Sequence, residues 1–401
     1  MQINDLVDIK SKNIKKILNC IRSHRPMTKK EIADETGLSF ATVSNLCNEL
    51  RDAGITENSK DTSSRIGRTP NCISLQKNRF LNIVLDFRIE NALSLAIVNI
   101  ENNVLYQTTL DTTVFNTPEE IVAYAHRTFL NVLEMLGLQN ATFLRLGAAV
   151  PAIHDSVDGC LKTCTIPIFD NIPLKEMLSS TFKMETYVDN IANFCALSVL
   201  SRIHKQSNIV CLDISQGVGV GVIVDGILVR GKNGYGGEIA HVPIGDMNAV
   251  CPVCHRNGCA EILLSVNGMV GLYEEIPKDI PMLKRWQLFV ELIRLDDTRA
   301  RQGIRAIGEQ LGRLATILIN MFDPSYFSVT GYIADIYDLL EPYIAAEVNA
   351  RCPLSIDRGL KIEIGKNTFD SVYLGVSDAL YEAWDPLDET LADKSRDPSI
   401  P

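Results

Sequence analysis

The sequence predicts an α/β protein with a small winged helix-turn-helix head and a body of two α/β lobes flanking a cleft. Three observations predict it. Charge is divided unevenly: residues 1–80 hold 14 Lys/Arg against 9 Asp/Glu, while the remainder holds 25 against 40. In the head, a short capped helix, a glycine turn and a longer capped helix follow one another. In the body, strand and helix patterns alternate in two similar cycles of three strands, a helix, a strand and a helix.

Composition narrows the class further. The chain has 401 residues, 46% hydrophobic and 22% charged, which excludes collagen-like, low-complexity and fully disordered chains. That length exceeds one compact core and implies two or three domains. No apolar run approaches the ~18 residues of a membrane helix, and the start, MQINDLVDIKSKN, has no apolar signal region. These features predict a cytoplasmic protein without a membrane partner. Its 11 Cys are then expected as reduced thiols and metal ligands rather than a disulfide framework.

The head is read element by element. Ile14, Ile17, Leu18 and Ile21 share one helix face, which stops at Arg25-Pro26. Thr28-Lys29-Lys30-Glu31 is a capping box, and the helix it opens ends at Gly37. Ser39 caps a third helix with Val43, Leu46 and Leu50 inside, closed by Gly54. Its exposed start, with Ser39, Phe40, Ala41, Thr42, Ser44 and Asn45, is small or hydrogen-bonding and suits base edges in a major groove. Lys29 and Lys30 open the preceding helix, where a phosphate is commonly held. Two strands around Thr56 and Cys72 flank a loop whose Arg65 and Arg68 are candidates for minor-groove or backbone contact. The expected partner is double-stranded DNA; a protein-interaction module is the competing reading.

In the body, the first cycle comprises strands at 81–87, 93–100 and 104–112, a helix capped by Thr117 with Glu120 at its third position, and a strand at 144–150. The second comprises strands at 209–214, 218–224 and 227–230, with Asp225-Gly226 as a hairpin turn. Helices at 298–322, 335–350 and 371–384 and strands at 326–330 and 361–364 complete it. The polar, acidic tail from 385 onward is expected to be mobile.

His241, Cys251, Cys254 and Cys259 form H-x9-C-x2-C-x4-C. One imidazole and three thiolates suit tetrahedral zinc, and with four protein ligands the site is expected to be closed and structural. Gly258 permits the tight return, and His255 is a spare candidate ligand. A redox Cys-x2-Cys pair or buried thiols are the alternatives.

The segment GVGVGVIVDGILVRGKNGYGGEIAHVPIG, followed by the Cys cluster and CHRNGCAEILLS, resembles the ROK family of repressors, open reading frames and kinases. Gly237 to His241 match the family's G-E-I-G-H element, and Cys254 to Glu261 match its C-G-x-x-G-C-x-E element with His255 in the usual Gly place. The first Cys is displaced by one residue. The resemblance spans about residues 12 to 384 and implies the two-lobed, actin-like, hexokinase-type ROK domain. The organisation expected is 1–78 for the winged head, 79–190 with 366–385 for the smaller lobe, 191–365 for the larger lobe with the zinc site, and 386–401 for the tail.

Measured against that family, the kinase parts are damaged. The phosphate loop D-x-G-G-T is replaced by Asp86-Phe87-Arg88-Ile89, which lacks the glycines for close backbone approach. The second phosphate element reads Ser215 to Gly221, and the nucleotide-side G-G pair reads Thr330-Gly331. In the N-D-A-N motif, Ile191 stands where the family's general base stands, and an aliphatic side chain accepts no proton. Asp189, two residues earlier, is expected to point elsewhere. Family sugar contacts carry over to Asn190, Glu238, His241 and Glu261, and to Thr165, with His241 linking metal and ligand through its two ring nitrogens. The expected function is a DNA-binding regulator, a repressor in sense, responsive to a sugar or sugar phosphate and without kinase activity. The resemblance and the two-fold logic of operators imply a homodimer or dimer of dimers. A sugar kinase with a DNA-binding head and a DNA-binding scaffold without ligand control are the rivals.

Overall fold

The computed structural model describes residues 3–23, 26–60, 71–76, 78–89, 91–203, 207–295, 298–364 and 368–386. The tail beyond 386 and the wing tip with Arg65 and Arg68 lie outside the described residues.

The head comprises α1 (Ile3–Ser23), α2 (Lys29–Thr36), α3 (Phe40–Asp52) and the antiparallel strands β1 (Thr56–Lys60) and β2 (Asn71–Leu75). Its helix boundaries follow from the caps. Thr28 and Glu31 close a full capping box on α2, Gly37 ends that helix at φ 69°, and the Ser39 hydroxyl accepts from the Thr42 amide at the start of α3. Met27 bridges to Ile73, so the wing adds to the helical core.

The first lobe contains β3 (Phe80–Asp86), β4 (Ala92–Asn99), β5 (Val104–Asp111), α4 (Pro118–Leu136), β6 (Thr142–Val150), the short β7 (Ile153–His154) and β8 (Leu161–Lys162), α5 (Leu174–Phe182) and β9 (Thr186–Asn190). Helix α6 (Ile191–Ile203) follows. The second lobe then contains β10 (Ile209–Ile214), β11 (Val218–Val224), β12 (Ile227–Leu228), α7 (Glu261–Leu264), α8 (Val266–Val270), α9 (Met282–Ile293), α10 (Thr298–Phe322), β13 (Tyr326–Gly331), α11 (Tyr337–Arg351), α12 (Pro353–Asp357) and β14 (Lys361–Ile364). Helix α13 (Thr368–Ala383) returns to the first lobe.

Both main sheets have the same topology. The orders are β5-β4-β3-β6-β9 and β12-β11-β10-β13-β14, with the first three strands of each antiparallel and the last two parallel. Asp225 and Gly226 both have positive φ in the β11–β12 turn, as the Asp-Gly dipeptide predicts. The carboxyl ends of β3 and β10 therefore occupy equivalent places in the two sheets, and they place Asp86 and Asp213 beside the cleft.

The expected lobe boundary at 190/191 falls at the start of α6, which in fact belongs to a shared layer. Helices α6 and α13 pack on one another, and α6 also packs on β10 and β11. One apolar cluster joins Val84, Ala96 and Ala149 of the first sheet, Phe194 and Val199 of α6, Cys211 and Ile223 of the second sheet, and Tyr373 and Val376 of α13. The contact is backbone-close: a Cβ on Gly375 would lie 1.8 Å from the Phe194 carbonyl oxygen, and one on Gly221 would lie 2.2 Å from that of Ala192.

The head is not merely tethered. Its core of Ile14, Leu18, Val43 and Leu50 runs on into Phe80, Ile100, Leu144, Tyr381 and Trp384 of the first lobe. Arg22 of α1 donates to the Ile100 carbonyl at 2.6 Å and to the Asp378 carboxylate at 2.6 Å, and its guanidinium lies 4.1 Å from the Tyr381 ring centre. Asn102 donates to the same Asp378 oxygen at 2.6 Å. Lys15 adds a bond to the Tyr381 carbonyl.

Candidate ligand cleft, metal centre and nucleic-acid interface

The five residues expected to contact a sugar converge. Thr165, Asn190, Glu238, His241 and Glu261 all line one open cleft between the lobes. Each is placed by its backbone. Asn190 ends β9 and caps α6, its Oδ1 accepting from the Ala192 amide at 2.8 Å while its Nδ2 donates to the Ala152 carbonyl at 3.1 Å. Gly237 has φ 90° and a Cβ there would lie 2.0 Å from the Val220 oxygen, so only glycine lets the chain press against β11 and deliver Glu238. Glu261 opens α7 and accepts from the Val218 amide at 3.1 Å. Burial raises the pKa of Glu238 and of Glu261 to about 7. A group of two carboxyls and an amide, backed by apolar walls such as Pro151, Ala152 and Val218, is suited to hydroxyls.

Ile191 is 3% exposed and lines this cleft beside Asn190, an aliphatic wall where the resemblance to family kinases expects a general base. Asp189 does point elsewhere: its carboxylate pairs with Arg230 at 2.8 Å and accepts from Asn193 at 2.6 Å.

Several cleft groups were not expected as ligand contacts. Arg88, which replaces a phosphate-loop glycine, is 2% exposed and turns back onto the Asp86 carboxylate, with Nη2 at 2.6 Å and Nε at 3.1 Å. Burial opposes the Arg88 charge, but Asp86 outweighs it and holds the pKa above the ordinary arginine value. Across the cleft floor, Asp213 accepts from Ser215 at 2.8 Å and from Thr330 at 2.9 Å, while burial pushes its pKa up. Gln216 also lines the cleft, and its buried Nε2 has no partner among the described residues. The missing glycine was the available signal for Arg88; nothing local marks Gln216.

The four expected metal ligands also meet. One donor atom from each of His241, Cys251, Cys254 and Cys259 lies within 4.8 Å of all the others. Cys251 Sγ is 3.8 Å from His241 Nδ1, and Cys254 Sγ is 3.4 Å from Cys259 Sγ, near the ~3.8 Å edge of a tetrahedron with 2.3 Å metal–sulfur bonds. The loop is pinned by the bridges Pro243–Cys259 and Val250–Asn257. Gly258 has φ 76°, and a Cβ there would meet Met247 sulfur at 2.4 Å. Burial, followed by Arg256, keeps the His241 pKa below its ordinary value, which favours the neutral imidazole a metal requires. This His/Cys3 cluster can hold a metal ion; His255 is not part of it. With Nδ1 toward the sulfurs, the same ring borders the cleft.

On the head, Ala41 and Asn45 are exposed at the start of α3, Thr42 and Ser44 are half-buried, and Phe40 is 58% exposed. Ser39 bonds Thr42 through both its amide and its hydroxyl, at 3.1 and 2.8 Å. Lys30 is exposed. Lys29 instead bonds Asn48 at 3.0 Å and Ser44 at 3.2 Å, bracing α2 against α3.

Comparison with known proteins finds two family matches along the chain. The sequence profile of the ROK family matches residues 90–354, and that of a winged helix-turn-helix DNA-binding domain matches residues 10–55. The xylose repressor of Caldicellulosiruptor bescii is 23% identical over 372 residues, covering 90% of this chain and 92% of that protein. In fold, the chain is similar to a ROK family transcriptional regulator described as a homologue of the E. coli MLC protein, with a TM-score of 0.75, 20% identity and coverage of 96% of this chain and 99% of that one. It is also similar to the ROK hexokinase of Thermus thermophilus, with a TM-score of 0.60, 17% identity and coverage of 76% and 99%.

Proposed function

The chain belongs to the ROK family, and from that premise we propose that it is a sugar-responsive, DNA-binding transcriptional regulator, a repressor in sense, that phosphorylates nothing. The observation that carries the proposal is one cleft in which the sugar-side residues are assembled while a buried Ile191 stands at the base position and Arg88 fills the phosphate loop. Hydroxyl recognition needs the first set. Phosphoryl transfer needs a base and an open phosphate cradle, which the second set removes together.

The head reads DNA through Ala41, Thr42, Ser44, Asn45 and the exposed Phe40, with Ser39 capping the reading helix. Lys30 meets phosphates, Arg65 and Arg68 meet the minor groove or the backbone, and Lys29 braces the two helices while it faces the same side. His241, Cys251, Cys254 and Cys259 would hold zinc, whose role would be structural and electrostatic, and the loop they pin carries His241 and Glu261 to the ligand beside Glu238. The protein works in the cytoplasm as a homodimer whose two heads span an operator.

The layout of elements supports a route for the response. Asn190 in the cleft caps α6, α6 packs backbone-close on α13, and α13 carries Asp378 and Tyr381, which hold α1 of the head. A sugar that prefers one lobe arrangement shifts α6 and α13 and with them the spacing of two heads; equal affinity for both arrangements would shift nothing.

The test is a fluorescence-anisotropy titration of a DNA fragment from upstream of the protein's own gene, with and without candidate sugars, at several salt concentrations. Binding that weakens with salt and shifts in affinity with one sugar is expected. Binding that ignores salt and every sugar would refute the proposal.

A further inference from the structure

We infer that the cleft selects an uncharged sugar against the phosphate ester of the same sugar, with Arg88–Asp86 and Glu261–Val218 as the excluding contacts and Gln216 as a further binding residue. The inference rests on the sugar-sensor reading above and narrows its ligand.

A phosphate group needs hydrogen-bond donors and positive charge. Among the described residues lining the cleft, Arg88 is the only Arg or Lys, against the carboxyls of Asp213, Glu238 and Glu261. Its guanidinium already faces the Asp86 carboxylate through Nη2 and Nε. Three neighbouring donors are likewise engaged. The Val218 amide, in the glycine-rich turn where an anion would sit, donates to Glu261. The hydroxyls of Ser215 and Thr330 both donate to Asp213. The Glu261 carboxyl oxygens stand 3.6 and 3.7 Å from the Cβ position of Gly217, so the face of that turn is covered by acceptor oxygens rather than by donors.

A dianionic phosphate entering here meets the acceptor oxygens of Asp213, Glu238 and Glu261 in a partly desolvated cleft, where Arg88 already faces Asp86. A neutral polyol meets acceptors for its hydroxyls in Glu238 and Glu261. It also meets an amide donor in Gln216, which is 6% exposed and whose Nε2 has no partner among the described residues. A buried donor without a partner is costly, and a hydroxyl or carbonyl oxygen on the ligand supplies one.

The experiment is isothermal titration calorimetry of the full-length, zinc-loaded protein with free pentoses and hexoses, including D-xylose, D-glucose, D-fructose and N-acetyl-D-glucosamine, and with the 5- or 6-phosphate ester of each. The sugar that binds is expected to do so on the order of 100-fold more tightly than its ester. A preference of at least tenfold for the free sugar supports the inference. An ester that binds within tenfold of its sugar, or more tightly, overturns it and leaves the sensor reading standing. Silence toward every free sugar and ester overturns the sensor reading and this inference with it. The variant Asp86→Asn adds a gain-of-function arm: with Arg88 released from its counter-charge, the ester-to-sugar affinity ratio rises at least tenfold, and an unchanged ratio in a folded variant counts against the assigned role of the pair.

Discussion

Replacing Arg22 by Ala removes the polar hub between head and body. Arg22 and Asp378 are about nine-tenths buried as side chains, with relative exposures of 12% and 9%, so solvent screening weakens their attraction little. Breaking a buried pair costs about 3–5 kcal/mol when the partner is left alone. Here Asn102 still donates to Asp378 at 2.6 Å, which places the loss near the lower end of that range. The lost bond to the Ile100 carbonyl and the lost stacking on Tyr381 add about 1 kcal/mol each. A combined loss of about 5 kcal/mol exceeds the ~1–3 kcal/mol typical of coupling between two sites. Arg22→Ala is therefore expected to bind DNA but to lose most of the sugar-dependent change in affinity. Arg22→Lys should restore part of it. Anisotropy reads the affinity, and hydrogen–deuterium exchange reads α1 and α13, where protection should fall. A variant with the full sugar response and unchanged protection would refute the reasoning.

Three further outcomes follow from the packing, the metal cluster and the buried lysine. Gly375→Ala puts a Cβ 1.8 Å from the Phe194 oxygen and should lower stability by about 3 kcal/mol through separation of α6 and α13, read by thermal unfolding; a change under about 0.5 kcal/mol would contradict the close contact. Elemental analysis is expected to show about one equivalent of zinc per chain in the wild type and none in Cys259→Ser, which should also weaken sugar binding more than DNA binding; retained metal would contradict the four-ligand site. Burial lowers the Lys15 pKa from 10.5 to about 8. Because the folded value lies below the unfolded one, the destabilising cost of the buried charge is present in full below pH 8 and fades as pH rises from about 8 toward 10.5. Melting curves between pH 7.5 and 9.5 should show the wild type gaining on Lys15→Met as pH rises; a flat difference would refute it.

The sequence carried the local structure well where a side chain answers its own backbone. Thr28 with Glu31 and Thr117 with Glu120 each form the capping box their spacing predicts, and the zinc-type cluster and five cleft residues come together as expected. What it did not carry depends on distant partners. Helix α6 has buried residues at nearly every position from Ile191 to Val199 because two sheets enclose it, so it has no amphipathic stripe to betray it. The head appeared separable by charge, yet Arg22 meets Asp378, 356 positions away. Loss of the phosphate-loop glycine was plain in the sequence, but that Arg88 folds back on Asp86 is a matter of geometry. Lys29, a basic residue at a helix start, is engaged with Asn48 and Ser44 inside the head, which its position in the sequence does not reveal.

The central claim is that a phosphotransferase-type cleft serves here as a sensor. The most direct measurement incubates the purified, zinc-loaded protein with magnesium-ATP and the sugar that binds it, and follows sugar phosphate by phosphorus NMR. Saturable sugar binding with no ester formed above the uncatalysed background is the predicted result; accumulation of a sugar phosphate in proportion to protein would contradict it.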